Sequence, residues 1–175
     1  MNLGESAVDF RLKGVDGKIH ALADFKAAPV LIVVFSCNHC PYVKAYEKRL
    51  IDIQSDYAAQ GVQIAAINSN DDENYPEDNF EEMVRRAKEE KFNFPYLRDD
   101  TQATARGYGA THTPHLFVFD GKRRLAYTGK IDDNWERPES VTKRYLREAV
   151  DDLLAGKAPR TPETHAIGCT IKWKR

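Results

Sequence analysis

The apolar residues of this chain fall into short continuous runs, separated by segments in which they recur every three or four positions. The run Pro29 to Phe35 is apolar and rich in β-branched side chains, which predicts a central strand buried on both faces. After it, apolar side chains at helical spacing up to Tyr57 predict an amphipathic helix that ends at Gly61. The run Val62 to Ile67 predicts a second buried strand. A strand, a helix and a strand in this order are typical of a parallel pair of strands.

Two hairpins are predicted, each from two short apolar segments on either side of an Asp-Gly turn. They join residues 8–12 to 19–22 and residues 116–119 to 125–128. Three further helices are predicted, over residues 77–91, over residues 101–106 with an end at Gly107, and from about Val141 to Gly156. Hairpins combined with parallel strands predict an α/β fold with a mixed central sheet, helices on both faces and an N-terminal β-hairpin extension.

Length and charge limit the possible functions of the chain. Its 175 residues suit one domain over residues 1–156, with residues 157–175 as a C-terminal tail packed on that domain or extending it. The net charge of −1 argues against nucleic acid or an anionic membrane as a partner. The longest apolar run, Ala27 to Phe35, is too short to span a bilayer, and the first ten residues lack a signal-peptide pattern. We therefore expect a cytoplasmic protein with no nucleic-acid or membrane partner.

The three cysteines divide into a C-x-x-C pair, Cys37 and Cys40, and a single Cys169 near the C-terminus. The pair lies between the predicted central strand and the next helix, where Pro41 fits because the first turn needs no N–H donor. Unpaired N–H groups and the helix dipole stabilise a thiolate at such a position. We expect Cys37 at the exposed end of the helix as the nucleophile, and Cys40, one turn further in, as the resolving thiol.

Asn38 and His39 lie between the two cysteines and are expected to tune them. A protonated His39 adds positive charge beside the thiolate, so the pKa of Cys37 is predicted at roughly 5–7, below the ~8.5 of a free cysteine. Stabilising the thiolate stabilises the reduced pair, which favours an oxidising disulfide. The direction of electron flow stays open, because a cytoplasmic location favours a reductant.

Further motifs accompany the pair along the chain. They are Gly4-x-x-Ala7-x-Asp9-Phe10, Tyr108-Gly109-Ala110, Thr113-Pro114 and Asp120. With these motifs the chain resembles, from about Gly4 to about Ala155, the thioredoxin-like superfamily in its redoxin branch. That branch includes peroxiredoxins of the alkyl hydroperoxide reductase and thiol-specific antioxidant type, and the thioredoxins of cytochrome maturation.

The resemblance implies a thioredoxin fold and a thiol–disulfide oxidoreductase that needs no organic cofactor. Cys37 and Cys40 then act through a mixed disulfide with a protein or a low-molecular-weight thiol or disulfide. An electron donor such as a thiol reductase system completes the cycle. The resemblance also implies that Pro114 is a cis proline facing the cysteines, and that Thr113 offers backbone groups to an extended substrate strand.

Two positions depart from the thioredoxin pattern. Ser36 replaces the tryptophan that precedes the first cysteine, and residues 31–34 are all apolar where thioredoxins carry a buried carboxylate. His39, Asp132 or Asp133 could replace that carboxylate as proton acceptor.

The acidic stretch 71–82 lacks the ligand spacing of a calcium loop and is predicted to be a solvated loop.

Two other functions stay open at the level of the sequence. A thiol-dependent peroxidase would use Cys40 or Cys37 as its peroxidatic residue. With Cys40 in that role, the motif P-x-x-x-T/S-x-x-C fails at two of its three positions, Val33 and Cys37. A non-catalytic binding module would use the cis-proline groove alone.

Cys169 and the histidines near Pro114 leave further alternatives. A zinc site would need the pair and two more ligands from His112, His115 and Cys169, with a histidine spacing tighter than usual, so no metal is predicted. Cys169 is either a structural thiol or a third redox cysteine, which attacks the disulfide of the pair or links two chains.

Overall fold

The apolar run before the cysteines forms the central strand, as its composition predicts. The computed structural model describes residues 1–175. Its strands are β1 (Arg11–Gly14), β2 (Ile19–Ala21), β3 (Leu31–Ser36), β4 (Gln63–Asn68), β5 (Tyr96–Arg98), β6 (His112–Thr113), β7 (His115–Phe119), β8 (Leu125–Gly129) and β9 (Cys169–Thr170). Its α-helices are α1 (Pro41–Tyr57), α2 (Phe80–Glu89), α3 (Ala103–Tyr108) and α4 (Tyr145–Leu154). No helix combines the length and the apolar character that crossing a membrane requires.

The main sheet has seven strands in the order β2-β1-β5-β4-β3-β7-β8. The strands β3, β4 and β5 are parallel, while β7 and β8 on one side and β1 and β2 on the other are antiparallel to their neighbours. The strands β6 and β9 form a separate antiparallel pair. The predicted mixed sheet of an α/β fold, with an N-terminal hairpin at one edge, is confirmed.

Side chains of β3 alternate between two apolar cores, one on each face of the sheet. Ile32 and Val34 pack on the side of α1, α2 and α4, whereas Val33 and Phe35 pack on the side of α3. These four side chains are at most 1 % exposed, so the strand is buried on both faces as predicted. Because β3 is fixed from both sides, the residues that follow it start from a rigid position.

Several element boundaries differ from the predicted ones for local reasons. The helix α2 starts later than residue 77 because Asn79 caps it, with Oδ1 accepting the N–H of Glu82 at 2.9 Å. The helix α3 runs past Gly107, because Gly109 is the residue that adopts the left-handed conformation, with φ of 71°. The first hairpin strand and α4 also begin a few residues later than predicted.

The residues after α4 run back across the molecule towards the cysteines. The N–H of Thr164 donates to the carbonyl of Thr128 in β8 at 3.0 Å. Further on, β9 pairs with β6, and Ile171 is buried in the core on the side of α3. The tail thus packs on the sheet at one point and beside Pro114 at another.

Candidate active site

The C-x-x-C pair lies where β3 passes into α1. Cys40 is the N-cap of α1 and Pro41 is its first helical residue, so the predicted place of Pro41 is confirmed. Both thiols are buried, with Cys37 1 % and Cys40 0 % exposed. The expectation of an exposed Cys37 is therefore wrong, because the loop after β4 and the C-terminal tail pack over this end of the helix.

Thr113 faces both cysteines from the end of β6. Its hydroxyl Oγ1 lies 3.4 Å from Cys37 Sγ. Its carbonyl oxygen lies 3.3 Å from Cys40 Sγ and accepts from the thiol when that thiol is protonated. The peptide bond between Thr113 and Pro114 is cis. The residue before the proline therefore touches the sulfur of each cysteine.

In the reduced pair, the pKa of Cys40 is lowered and the pKa of Cys37 is raised. The pKa of Cys40 is lowered to about 4, first because the Cys37 thiol donates a hydrogen bond to the Cys40 sulfur. Burial opposes this shift, whereas hydrogen bonds from Cys169 and from the Val43 N–H lower the pKa further. The pKa of Cys37 is raised by the same hydrogen bond to Cys40, by burial, and by the nearby carboxylate of Asp78. The predicted low pKa of Cys37 is therefore wrong, because the hydrogen bond to Cys40 and burial both favour the neutral thiol.

A buried carboxylate, Asp78, holds the loops around the pair and is 0 % exposed. Its Oδ1 accepts the backbone N–H of Asn38 at 2.7 Å and Nδ2 of Asn68 at 3.2 Å. Its Oδ2 accepts Nδ2 of Asn70 at 3.0 Å and lies 2.7 Å from Nδ1 of His39. Asp78 thus links the end of β4 to the two residues between the cysteines.

Sequence reasoning missed Asp78 as a site residue. The expected solvated loop over residues 71–82 is wrong at Asp71 and Asp78, which are 2 % and 0 % exposed. One signal pointed to this loop: polar residues 68–71 directly follow a buried strand that is parallel to β3. Parallel neighbouring strands end at the same edge of a sheet, which is where α/β proteins bind their ligands.

His39 and Asn38 connect the pair to this loop. The His39 ring stacks on Tyr75, with centroids 6.0 Å apart, while its Nδ1 faces Asp78. The hydroxyl of Tyr96 donates to Asn38 Oδ1 at 2.7 Å. Both residues between the cysteines are therefore held by groups from distant parts of the chain.

Three side chains at the site could together hold a metal ion. Cys37, His39 and Asp78 offer ligand atoms that lie within 4.8 Å of one another. The two histidines considered from the sequence, His112 and His115, are not in this group. Burial lowers the pKa of His115 to about 4, because the charged ring would lose its hydration.

The carboxylates proposed as substitutes for the missing strand acid bind elsewhere. Asp132 lies 2.9 Å from Arg49 Nη1 and accepts from the hydroxyl of Tyr46 at 2.8 Å. Asp133 accepts the N–H of Thr142 at 2.9 Å. The buried acid that the structure places beside Cys37 is Asp78.

The structure brings the third cysteine to the pair. Cys169 lies opposite Thr113 in the β6–β9 pairing. Cys169 packs against the cluster of Cys37, Cys40 and Val43, and its pKa is raised to about 11, first by burial and then by hydrogen bonding to Cys40. Unlike the other two, Cys169 is half-buried. The site therefore contains three thiols.

The fold and this arrangement define a thioredoxin-like protein of the redoxin branch, with a C-x-x-C pair at a helix start facing a Thr-Pro bond. The family model described as AhpC/TSA matches residues 3–128. The chain belongs to this AhpC/TSA family.

Three known proteins are similar to the chain. The "Thiol-disulfide oxidoreductase ResA" of Geobacillus thermodenitrificans is 29 % identical over 145 residues, covering 79 % of this chain and 78 % of that protein. The crystal structure of a hypothetical protein, SMc02350 from Sinorhizobium meliloti 1021, is 42 % identical with a TM-score of 0.94, covering 99 % and 96 %. A putative thiol:disulfide interchange protein DsbE from Chlorobium tepidum shares the fold, with a TM-score of 0.69 at 20 % identity, covering 89 % and 97 %.

Proposed function

We propose that the protein is a thiol–disulfide oxidoreductase in which Cys37 and Cys40 alternate between a dithiol and a disulfide. The observation that carries this proposal is a buried C-x-x-C pair at the start of α1, with both sulfurs in contact with Thr113. The thiolate is the reactive form of cysteine, and a second thiol beside it can close an intramolecular disulfide. The similarity to a protein named thiol-disulfide oxidoreductase supports the same activity.

In this proposal the low pKa of Cys40 gives it the role of nucleophile, which the sequence assigned to Cys37. The Cys40 thiolate attacks one sulfur of a partner disulfide, whose S–S bond breaks and whose other sulfur leaves as a thiolate. Cys37 then loses its proton and attacks Cys40 in the mixed disulfide, which releases the remaining partner sulfur as a thiolate. The partner gains two electrons, and the pair becomes a disulfide.

Asp78 and His39 are placed to take the Cys37 proton in the second step. Their ligand atoms lie within 4.8 Å of Cys37 Sγ and of each other. Oδ2 of Asp78 and Nδ1 of His39 are 2.7 Å apart, so an acid and a base face Cys37 together. A buried acid from a loop thus serves where the apolar strand β3 has none.

The partners of this reaction are a protein or low-molecular-weight disulfide and a thiol donor that reduces the pair again. An extended partner segment can pair with the backbone of Thr113 in the place that β9 occupies. Neither step requires an organic cofactor.

The test uses Cys169→Ser protein, so that only the pair can form a disulfide. It is equilibrated in dithiothreitol redox buffers, and free thiols are alkylated and counted by mass. We expect two thiols to disappear in one reversible two-electron transition, and the transition to be absent from Cys37→Ser/Cys169→Ser. A dithiol that persists at every potential would leave a binding module at the Thr113 groove as the function.

The low pKa of Cys40 also favours a second candidate, a thiol-dependent peroxidase, in a chain of the AhpC/TSA family. A thiolate at a helix N-terminus can attack a peroxide, giving a sulfenic acid and water or an alcohol. The test is hydrogen peroxide consumption with dithiothreitol as reductant. Peroxidase activity through Cys40 survives Cys37→Ser and disappears in Cys40→Ser, whereas equal consumption by both variants contradicts it.

A further inference from the structure

The C-terminal tail forms a strand on the backbone that a partner would use. In the β6–β9 pairing, Cys169 lies opposite Thr113 and Thr170 lies opposite His112. The N–H of Ile171 also donates to the carbonyl of Thr111 at 3.0 Å. An extended segment paired in this way occupies the groove by strand addition. A partner strand therefore cannot pair with β6 while the tail is in place.

The tail is held on both sides of its cysteine. A Cβ at Gly168 would lie 2.1 Å from the carbonyl oxygen of Thr113, so this close approach needs glycine. Beyond β9, Ile171 is 4 % exposed within the core on the side of α3. The N–H of Lys172 donates to Asn70 Oδ1 at 2.9 Å. These contacts fix the third thiol relative to the pair.

Access to the three sulfurs is unequal. Cys37 and Cys40 are at most 1 % exposed, whereas Cys169 is half-buried. Cys169 also packs against the buried cluster that Cys37 and Cys40 form with Val43. A molecule that approaches the site from solvent therefore meets Cys169 first, and Cys169 is in contact with the buried pair.

We propose that Cys169 is a third redox cysteine, which moves the disulfide from the buried Cys37–Cys40 pair to Cys40–Cys169, where an external thiol reaches it. This proposal rests on the proposed function, because it starts from the Cys37–Cys40 disulfide. The tail then supplies a third thiol to the pair while its strand covers the backbone of Thr113.

The transfer conserves atoms and electrons. Cys169 releases its proton to solvent and its sulfur attacks Cys40; the Cys37–Cys40 bond breaks, and Cys37 leaves as a thiolate that takes up a proton. One S–S bond forms as one breaks, so no electrons enter at this stage.

Electrons enter in the next stage, from an external dithiol. Its first thiolate attacks Cys169, and Cys40 leaves as the thiolate held at the start of α1. The donor's second thiol then attacks the mixed disulfide and frees the Cys169 thiol. The donor ends as a disulfide, and all three cysteines of the protein are reduced.

The first experiment maps the new disulfide. Cys37→Ser leaves Cys40 and Cys169 as the two thiols, and Cys40→Ser is the matched control. After treatment with glutathione disulfide, we expect Cys37→Ser monomer to lose both thiols and to give a 40–169 cross-linked peptide. The control is expected to give no internal cross-link. Free or glutathione-capped thiols in Cys37→Ser, or cross-links only between chains, overturn the proposal.

The second experiment measures reduction of the oxidised protein by dithiothreitol in stopped flow. We expect Cys169→Ser to be reduced about tenfold or more slowly than wild type, since both remaining sulfurs are buried. Thr170→Ser, on the exposed side of β9, is expected to keep the wild-type rate. If Cys169→Ser forms its Cys37–Cys40 disulfide and is reduced as fast as wild type, the third-cysteine proposal fails and the proposed function stands. If neither protein forms that disulfide, the proposed function fails.

Discussion

Asp78 connects the chemistry of the pair to the packing around it. Its carboxylate has no solvent exposure and collects donors from Asn38, Asn68 and Asn70, as well as facing His39. A buried carboxylate is tolerated when its oxygens are fully hydrogen-bonded. The pKa of Cys37 is raised first by its hydrogen bond to Cys40 and by burial, and the charge of Asp78 adds to both. One residue therefore has both a structural and an electrostatic effect.

We expect Asp78→Asn to lower the free energy of unfolding by about 1–3 kcal/mol. The new NH₂ group replaces a carboxylate oxygen, so buried hydrogen-bond donors around it lose their acceptor. The matched control is Glu77→Gln at the adjacent exposed position. That change is expected to stay within about 0.5 kcal/mol. Urea denaturation of the reduced proteins measures both values, and equal curves would show that the buried hydrogen bonds do not stabilise the fold.

The charge at Cys40 predicts a pH dependence of stability. Its pKa in the folded protein is about 4, and the unfolded value is about 8.5. The thiolate therefore stabilises the reduced fold fully above the unfolded pKa, and this contribution is lost as the pH falls towards the folded pKa. We expect the stability difference between reduced wild type and Cys40→Ser to grow as the pH rises through this window, measured by denaturation.

Ultraviolet absorbance of the thiolate assigns the charge to one cysteine. At neutral pH the reduced Cys37→Ser protein is expected to keep this absorbance, and the Cys40→Ser protein to lack it. If the thiolate absorbance is instead lost in Cys37→Ser, Cys37 is the nucleophile, as expected from the sequence.

The components of the site differ in how far sequence could identify them. The C-x-x-C pair, Pro41 and the Thr113–Pro114 dipeptide are local motifs, so they were found directly. The order of the pKa values was not, because Cys40 is the N-cap only when the helix starts at the next residue. Asp78 escaped notice because its loop becomes buried only through tertiary packing.

Among the elements, the long ones were predictable and the short ones were not. The strands β3 and β4 and the helix α1 have continuous or periodic apolar patterns, which reflect burial directly. The strands β5, β6 and β9 have only two or three residues, too few to show a period. They are strands because neighbouring backbone pairs with them, and two of them form the wall of the site.

The pairing of β9 with β6 can be weakened by adding a single methyl group. Gly168→Ala places a methyl group against the Thr113 carbonyl, so we expect the two strands to separate and iodoacetamide to alkylate Cys40 faster. Gly121→Ala is the matched control, since its added Cβ meets the Pro29 carbonyl at an ordinary 3.7 Å. The rate of Cys40 alkylation is measured by mass spectrometry in both variants and in the wild type. An unchanged rate in Gly168→Ala would mean that the tail does not shield Cys40.

In the whole molecule, both chain ends complete the same face of the sheet. The amino group of Met1 lies 3.4 Å from the carbonyl of Tyr108, and Met1 and Ile171 pack on the core beside α3. The opposite face is closed by three helices and does not involve the ends. The α3 face is therefore the one that can open by releasing a terminal segment without disturbing the rest.

We expect Ile171→Ala to act mainly on this local opening. Removing a buried isoleucine side chain costs about 2–5 kcal/mol. We expect this loss to destabilise the docking of the tail more than the packing of the helices on the other face. Amide hydrogen exchange is expected to speed up at residues 168–172 and to stay unchanged in β3 and α1. Thr170→Ser serves as the control on the same strand. Uniform acceleration across the sheet would show that the tail unfolds only with the whole protein.

The chain has two tryptophans, Trp135 and Trp173. Trp135 lies 4.3 Å, centroid to centroid, from Tyr42, which packs on the cysteine cluster. Trp173 belongs to the tail, where it is 38 % exposed under the guanidinium of Arg106, 5.1 Å from the ring centroid. Indole emission responds to neighbouring sulfur and to hydration. The native chain therefore carries two optical probes, one beside the redox pair and one on the segment that covers it, and each can be followed alone after Trp→Phe substitution of the other.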